Sequence, residues 1–153
     1  MAAYRSAPEV SRYQGWSSFS VDDAERLIEE MRVRQPGEPG WFQFALRDDR
    51  GALLGDAALY TAADGMAGKI GFTLAIPAQG RGLGKETVLA LVAYAFEERN
   101  MRKLTAETDA RNERSSAVLC HAGFCLEERR EDVPFKDEYI SELVYGLLRT
   151  NGR

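Results

Sequence analysis

The stretch Gln79-Gly80-Arg81-Gly82-Leu83-Gly84-Lys85 has the residue types and spacing to hold a phosphate. Glycines at alternate positions let a backbone turn where side chains would hinder it, and bring N–H groups close to a ligand. From Gly84 onward Val88, Leu91, Val92, Ala95 and Phe96 fall on one stripe, so the turn opens directly into a helix. The first N–H groups of a helix lack partners, and its dipole favours anions. Arg81 and Lys85 add positive charge to this phosphate cradle. A P-loop needs four residues between its glycines and then Lys-Ser/Thr; only three separate Gly80 from Gly84, and Glu86 follows Lys85. A Rossmann fingerprint needs glycine where Lys85 stands. Neither fits, and a glycine turn without a ligand is the plain alternative.

The elements that position this turn follow from periodicity. Ile70, Phe72, Leu74 and Ile76 alternate with Lys69, Gly71, Thr73 and Ala75, which predicts a strand from Lys69 to Ile76 ended by Pro77. Upstream, Met1 to Tyr13 contains no strand, and Gln14 to Phe19 reads as an aromatic, polar loop. Ser20 is an N-cap with Asp23 three residues on, opening a helix to about Arg34 that Pro36-Gly37-Glu38-Pro39-Gly40 breaks. Strands over Trp41–Arg47 and Leu53–Tyr60 precede Lys69–Ile76 as a meander, with turns at Asp48–Gly51 and Asp64-Gly65. After the long helix, Lys103–Thr108 is a strand parallel to Lys69–Ile76 through a right-handed crossover. A short helix to about Ala122 closes at Gly123. Phe124–Glu131 and Tyr139–Leu148 then pair across a loop at Asp132–Glu138. The class is α+β with a mixed sheet.

At 153 residues the chain is one domain, expected over residues 1–153 and long enough to bury a core. No apolar run reaches the length of a membrane span, and the N-terminus lacks the order of a signal peptide, so no membrane and a cytoplasmic location are expected. A net charge of −4 without a basic run argues against a nucleic-acid partner and suits a cationic amine. Two cysteines, Cys120 and Cys125, and a single histidine build neither a zinc pattern nor a disulfide framework, and no metal is expected.

Gln79-x-x-Gly82-x-Gly84 resembles the Q/R-x-x-G-x-G/A motif of the GNAT superfamily of acyl-CoA-dependent N-acyltransferases. Asn112-x-x-Ser115 followed by Gly123-Phe124 is similar to a second motif of that family, and the strand–helix–strand between the motifs agrees. Arg12-Tyr13-Gln14-Gly15-Trp16, a helix and a hairpin resemble the branch typified by ribosomal-protein N-terminal acetyltransferases. The resemblance implies a mixed, mostly antiparallel, twisted sheet whose parallel central pair splays apart. It implies acetyl-CoA as co-substrate. The N–H groups of Arg81, Gly82, Leu83, Gly84 and Lys85, with Gln79 heading the motif, would hold the pyrophosphate. Leu74, Ala75 and Ile76 would lie along the pantetheine arm, with an N–H of Leu74 or Ile76 polarising the thioester carbonyl. Asn112 would bond the pantetheine or position the acyl group, and Ser115 would protonate the departing thiolate. Members of the family usually begin with a strand that this sequence does not show. An edge left open by its absence could be covered by a second subunit, so a homodimer is an expected partner beside a small-molecule or peptide amine.

The residues themselves ask for the same chemistry. Acyl transfer to an amine needs an oxyanion stabiliser and a route for a proton to leave. Glu107 beside the gap and Asp56 on the meander are the candidate bases; a salt-bridge role is the bland reading for each. Ser115 and Asn112 are equally explained as residues that cap a helix start. Tyr139 and Tyr145 carry phenols but suit strand packing. Trp16 and Phe19 are candidates for an acceptor wall or for core packing. His121 is expected to face solvent, and Cys120 lacks a base for an acyl-enzyme route. The leading function is N-acetyl transfer to a primary amine in a ternary complex; the alternative is an acyl-CoA-binding sensor without turnover. The acyl group is inferred as acetyl, with succinyl the other option. The acceptor is not encoded in the motifs.

Overall fold

The computed structural model describes residues 1–150; the end of the domain expected over 1–153 lies outside them. The alternating segments become six strands: β1 (Gly40–Arg47), β2 (Leu53–Thr61), β3 (Ala67–Leu74), β4 (Lys103–Asp109), β5 (Cys125–Phe135) and β6 (Glu138–Leu148). They form one sheet in the order β1-β2-β3-β4-β6-β5, antiparallel except for the β3–β4 pair. Among the described residues five α-helices flank it: α1 (Ala2–Arg5), α2 (Pro8–Ser11), α3 (Val21–Arg32), α4 (Leu83–Ala93), which continues as a π-helical turn over Tyr94–Glu98, and α5 (Glu113–His121). The fold is the expected α+β arrangement, and no described helix is long and apolar enough to cross a membrane.

Burial follows the period of each element. Ala57, Leu59, Ile70, Leu104, Ala106 and Tyr145 point to one face and pack with Val88, Leu91 and Ala95 of the α4 segment and Leu119 of α5. The opposite face receives the N-terminal helices, where Arg5 of α1 reaches Asp56 of β2. Ser20 and Asp23 complete a reciprocal capping box at α3: the Asp23 N–H donates to Ser20 Oγ at 3.1 Å and the Ser20 N–H to Asp23 Oδ2 at 2.8 Å. α3 also lies against the outer strand, where the Gln43 N–H donates to Met31 Sδ at 3.2 Å.

Three expectations are corrected. α3 stops at Arg32 instead of about Arg34. β3 ends at Leu74, because Pro77 sits inside a 3₁₀ turn over Ile76–Ala78 for which its fixed φ is already suited. The loop expected over Asp132–Glu138 is mostly strand: Val133↔Ile140, Pro134↔Tyr139 and Phe135↔Glu138 continue the ladder to a tight turn. Asp132, at φ 53°, marks an irregularity that breaks the alternation in sequence. Pro134 is tolerated because β5 is an edge strand.

Candidate active site

β3 and β4 share only the pairs Ala67↔Lys103, Gly68↔Leu104 and Lys69↔Thr105. Beyond Lys69 the two strands diverge, and a cleft opens between Ile70–Phe72 of β3 and Ala106–Thr108 of β4. Asn112, Ser115 and Leu119 line one side of it, and Tyr13 and Gln14 approach from the N-terminal loop. The splay leaves β3 with an unsatisfied backbone edge. The Ala75 N–H goes to Leu54 O at 2.8 Å and the Ala75 carbonyl accepts from the Ala78 N–H at 2.9 Å, so Ala75 spends its backbone inside the protein. Antiparallel alternation then turns the N–H of Leu74, the last residue of β3, away from β2, while Ile76 lies beyond the strand in the 3₁₀ turn. The carbonyls on that edge take side-chain donors: Gln14 Nε2 reaches Phe72 O at 3.5 Å and Gln79 Nε2 reaches Leu74 O at 3.1 Å.

The glycine turn lies at the end of this edge. Gly80 and Gly82 have φ of +71° and +78°, conformations that L side chains rarely adopt, and Gly82 caps α4 from the left-handed region. A Cβ built on either would meet nothing within 4 Å. These two positions need glycine for their φ, and the space beside them is open. Gly84 is different: it is helical, and its Cβ would rest at 3.5 Å from Phe72 and Val118. Arg81 and Lys85 are exposed beside the turn, and Leu83 and Gly84 begin the helix. Arg114, not singled out from sequence, adds a third cation by donating to Gln79 Oε1 at 3.4 Å.

Glu107 points to the face of the N-terminal helices, 2.8 Å from Lys69 Nζ and 3.4 Å from Arg130. It lines the cleft and carries the ion pairs that the bland reading expects. Asn112 caps α5, its Oδ1 accepting from the Ser115 N–H at 3.2 Å, while both side chains also line the cleft. Asp56 is elsewhere. It is 2% exposed and held by Arg5 through Nη2 at 2.5 Å and Nε at 3.1 Å, with the Tyr4 hydroxyl donating to Oδ2, the oxygen that Nε also bonds. Burial, and then the bond to Asp56, push the Tyr4 phenol well above its ordinary range. An Asp56 so enclosed is not placed to meet an amine. Tyr145 is buried in the core, Tyr139 is exposed, and His121 Nδ1 bonds the Ala117 carbonyl of its own helix. Cys120 is an exposed free thiol. Trp16 and Phe19 pack against the Arg5 guanidinium at 4.3 and 4.5 Å and do not line the cleft. Tyr13 and Gln14 form that wall; in sequence they carried only a motif likeness, without a chemical signal.

A family described as "Acetyltransferase (GNAT) domain" matches residues 1–125. No protein with a curated description matches the sequence. Among solved structures, a GNAT-family acetyltransferase from Bacillus anthracis is similar with a TM-score of 0.86 at 19% identity, over 97% of this chain and 86% of that one. Spermidine N-acetyltransferase from Vibrio cholerae, in complex with CoA and spermine, has a TM-score of 0.83 at 16% identity, over 96% and 86%. A probable acetyltransferase reaches 0.79 at 26% identity, over 96% and 87%. The structural likeness establishes a shared fold, and the family match runs across both N-terminal wall and cradle: the chain belongs to the GNAT acetyltransferase domain family.

Proposed function

We propose that the protein is a cytoplasmic N-acetyltransferase that moves an acetyl group from acetyl-CoA to a primary amine by direct transfer in a ternary complex. The observation that carries this reading is the cleft: an unpaired β3 edge, a carboxylate across from it, and an open glycine cradle at its end. The residues present suit the co-substrate. The open space at Gly80 and Gly82 admits a diphosphate close to the backbone, and the N–H groups of Arg81 to Lys85 with two exposed cations favour its charge. Bound there, acetyl-CoA supplies the acetyl group as an activated thioester. Leu74 and Ile76 offer N–H groups to the pantetheine arm and to the charge that develops on the carbonyl oxygen. Asn112 orients the arm. Glu107 takes the proton of the amine, exchanging its contact with Lys69 for one with the substrate or a bridging water. Ser115 returns a proton to the departing sulfur.

Two acceptor classes stand behind this proposal. The N-terminal segment resembles ribosomal-protein N-terminal acetyltransferases, which favours a peptide amine. A neighbour of the same fold is described with CoA and spermine, which favours a polyamine. A homodimer belongs to the same reading, and sedimentation velocity showing a monomer alone would remove it. The deciding assay is CoA release from acetyl-CoA with spermine, a free N-terminal peptide and an N-blocked lysine peptide. Amine-dependent release that falls about a hundredfold in Glu107→Gln supports the mechanism. Binding of acetyl-CoA without release under any amine would favour the sensor reading instead.

A further inference from the structure

The segment from Arg12 to Ser20 contains no helix or strand, yet it supplies Tyr13 and Gln14 to the cleft wall. Its own contacts with the cleft are slight: the Tyr13 hydroxyl reaches Arg111 O at 3.4 Å and Gln14 reaches Phe72 O at 3.5 Å. What holds it lies behind the wall. The Arg5 guanidinium packs over both the Trp16 and Phe19 rings, 4.3 and 4.5 Å from their centroids, and the two rings touch each other at 5.8 Å and 58°. The Trp16 indole N–H donates back to Arg5 O at 3.0 Å, and Ser6 Oγ donates to Phe19 O at 2.7 Å. Arg5 is in turn fixed by Asp56, which projects from the middle of β2 with 2% of its surface exposed. Two buried charges are a weak source of stability, since their desolvation offsets their attraction. A bidentate carboxylate–guanidinium pair is strongly directional, however, and here it aims a flat cation at a contacting pair of rings of the wall segment.

We infer that Arg5, held by Asp56, is a positioning residue for the amine: by clamping Trp16 and Phe19 to the sheet it sets Tyr13 and Gln14 at the cleft. The inference rests on the acyltransferase reading for its meaning in catalysis, and on the sheet and loop alone for its geometry. Lys136, which donates to Ser11 O at 2.7 Å from the β5–β6 turn, anchors only the start of the segment and leaves the clamp to govern the rest.

The test uses the full chain and the double variant Arg5→Met/Asp56→Asn, which removes both charges together and keeps an acceptor for the Tyr4 hydroxyl. Trp16→Leu is the second variant; it leaves the ion pair intact and removes one ring of the contact together with its bond to Arg5 O. Amide hydrogen exchange, CoA titration and steady-state kinetics are read side by side, with the panel amine that the wild type turns over. The expected result is faster exchange over residues 12–19 with β2, β3 and α4 still protected. The Kd for CoA stays within about twofold, while KM for the amine rises about tenfold and kcat changes little. Unchanged exchange of the segment, or a Kd for CoA that rises along with KM, overturns the inference. If the double variant does not fold, Trp16→Leu gives the same comparison. If the wild type shows neither CoA binding nor turnover, the acyltransferase reading falls, and the exchange result still decides the clamp.

Discussion

Gly82 and Gly84 stand two positions apart in one motif and do different work. Gly82 needs its left-handed φ and has open space beside it, whereas Gly84 is a helical residue with ordinary contacts waiting for a Cβ. Gly84→Ala is therefore expected to melt at or slightly above the wild-type temperature, gaining up to about 1 kcal/mol of helix propensity, with CoA affinity unchanged. Gly82→Trp fills the space where a diphosphate would approach, and should abolish CoA binding. Calorimetry checks both; normal binding by Gly82→Trp would end the cradle assignment. The glycine turn and the helix it opens were legible because their information is local: three glycines, two cations and a helix start within one heptapeptide. The Arg5–Asp56 clamp was not, since its members lie 51 residues apart and neither has a periodic or motif signature. Asp56 read as a candidate base with a salt bridge as the bland alternative; the bridge is what forms, and its partner was invisible along the chain.

Strands were legible where alternation is clean, as in β2 and β3, and obscured where a bulge intervenes. Asp132 and Pro134 made half of β5 look like a loop, though edge position and an irregular register reconcile both with a strand. The turn and ends brought together by that hairpin carry a charge cluster. Arg111 bonds Asp109 at the end of β4 and Glu138 at the start of β6. For Asp109, burial raises the carboxyl's pKa, but the side-chain and backbone bonds of Arg111 outweigh it and hold the group below its ordinary value. The same guanidinium lowers Glu138. A carboxyl depressed in the folded state leaves the unfolded chain binding more protons in that window, so its stabilisation is complete above the ordinary carboxylate pKa. It is lost as pH falls through the ordinary value toward the depressed one. Thermal melts of wild type and Arg111→Met should thus differ most near neutrality and converge as the pH falls through and below the ordinary carboxylate range. A gap between the two that stays constant down to that acidity would contradict the linkage.

Over the whole molecule, the splay divides the sheet. β1, β2 and β3 form one leaf and β4, β6 and β5 the other, joined by three register pairs and by the α4 crossover. A parallel central pair with a crossover helix was readable from the order of elements; how few pairs would form was not, because divergence is decided by what each strand packs against. A co-substrate lying along the β3 edge supplies contacts that β4 leaves out. At a hundredfold excess over Kd, CoA should add about 2.7 kcal/mol of stability, or roughly 5–10 °C in Tm for a domain of this size. A shift near zero alongside tight binding would mean that the ligand also binds the unfolded chain, since a ligand of the native state alone stabilises it wherever it seats. The narrow seam also has a consequence for how the protein comes apart. With so little ladder between them, the leaves of the empty protein are two candidate opening units, each contiguous in the chain, that need not release their amides together. An occupant seated across the seam would merge them into one, so the empty and occupied forms would differ less in shape than in the number of pieces in which they open.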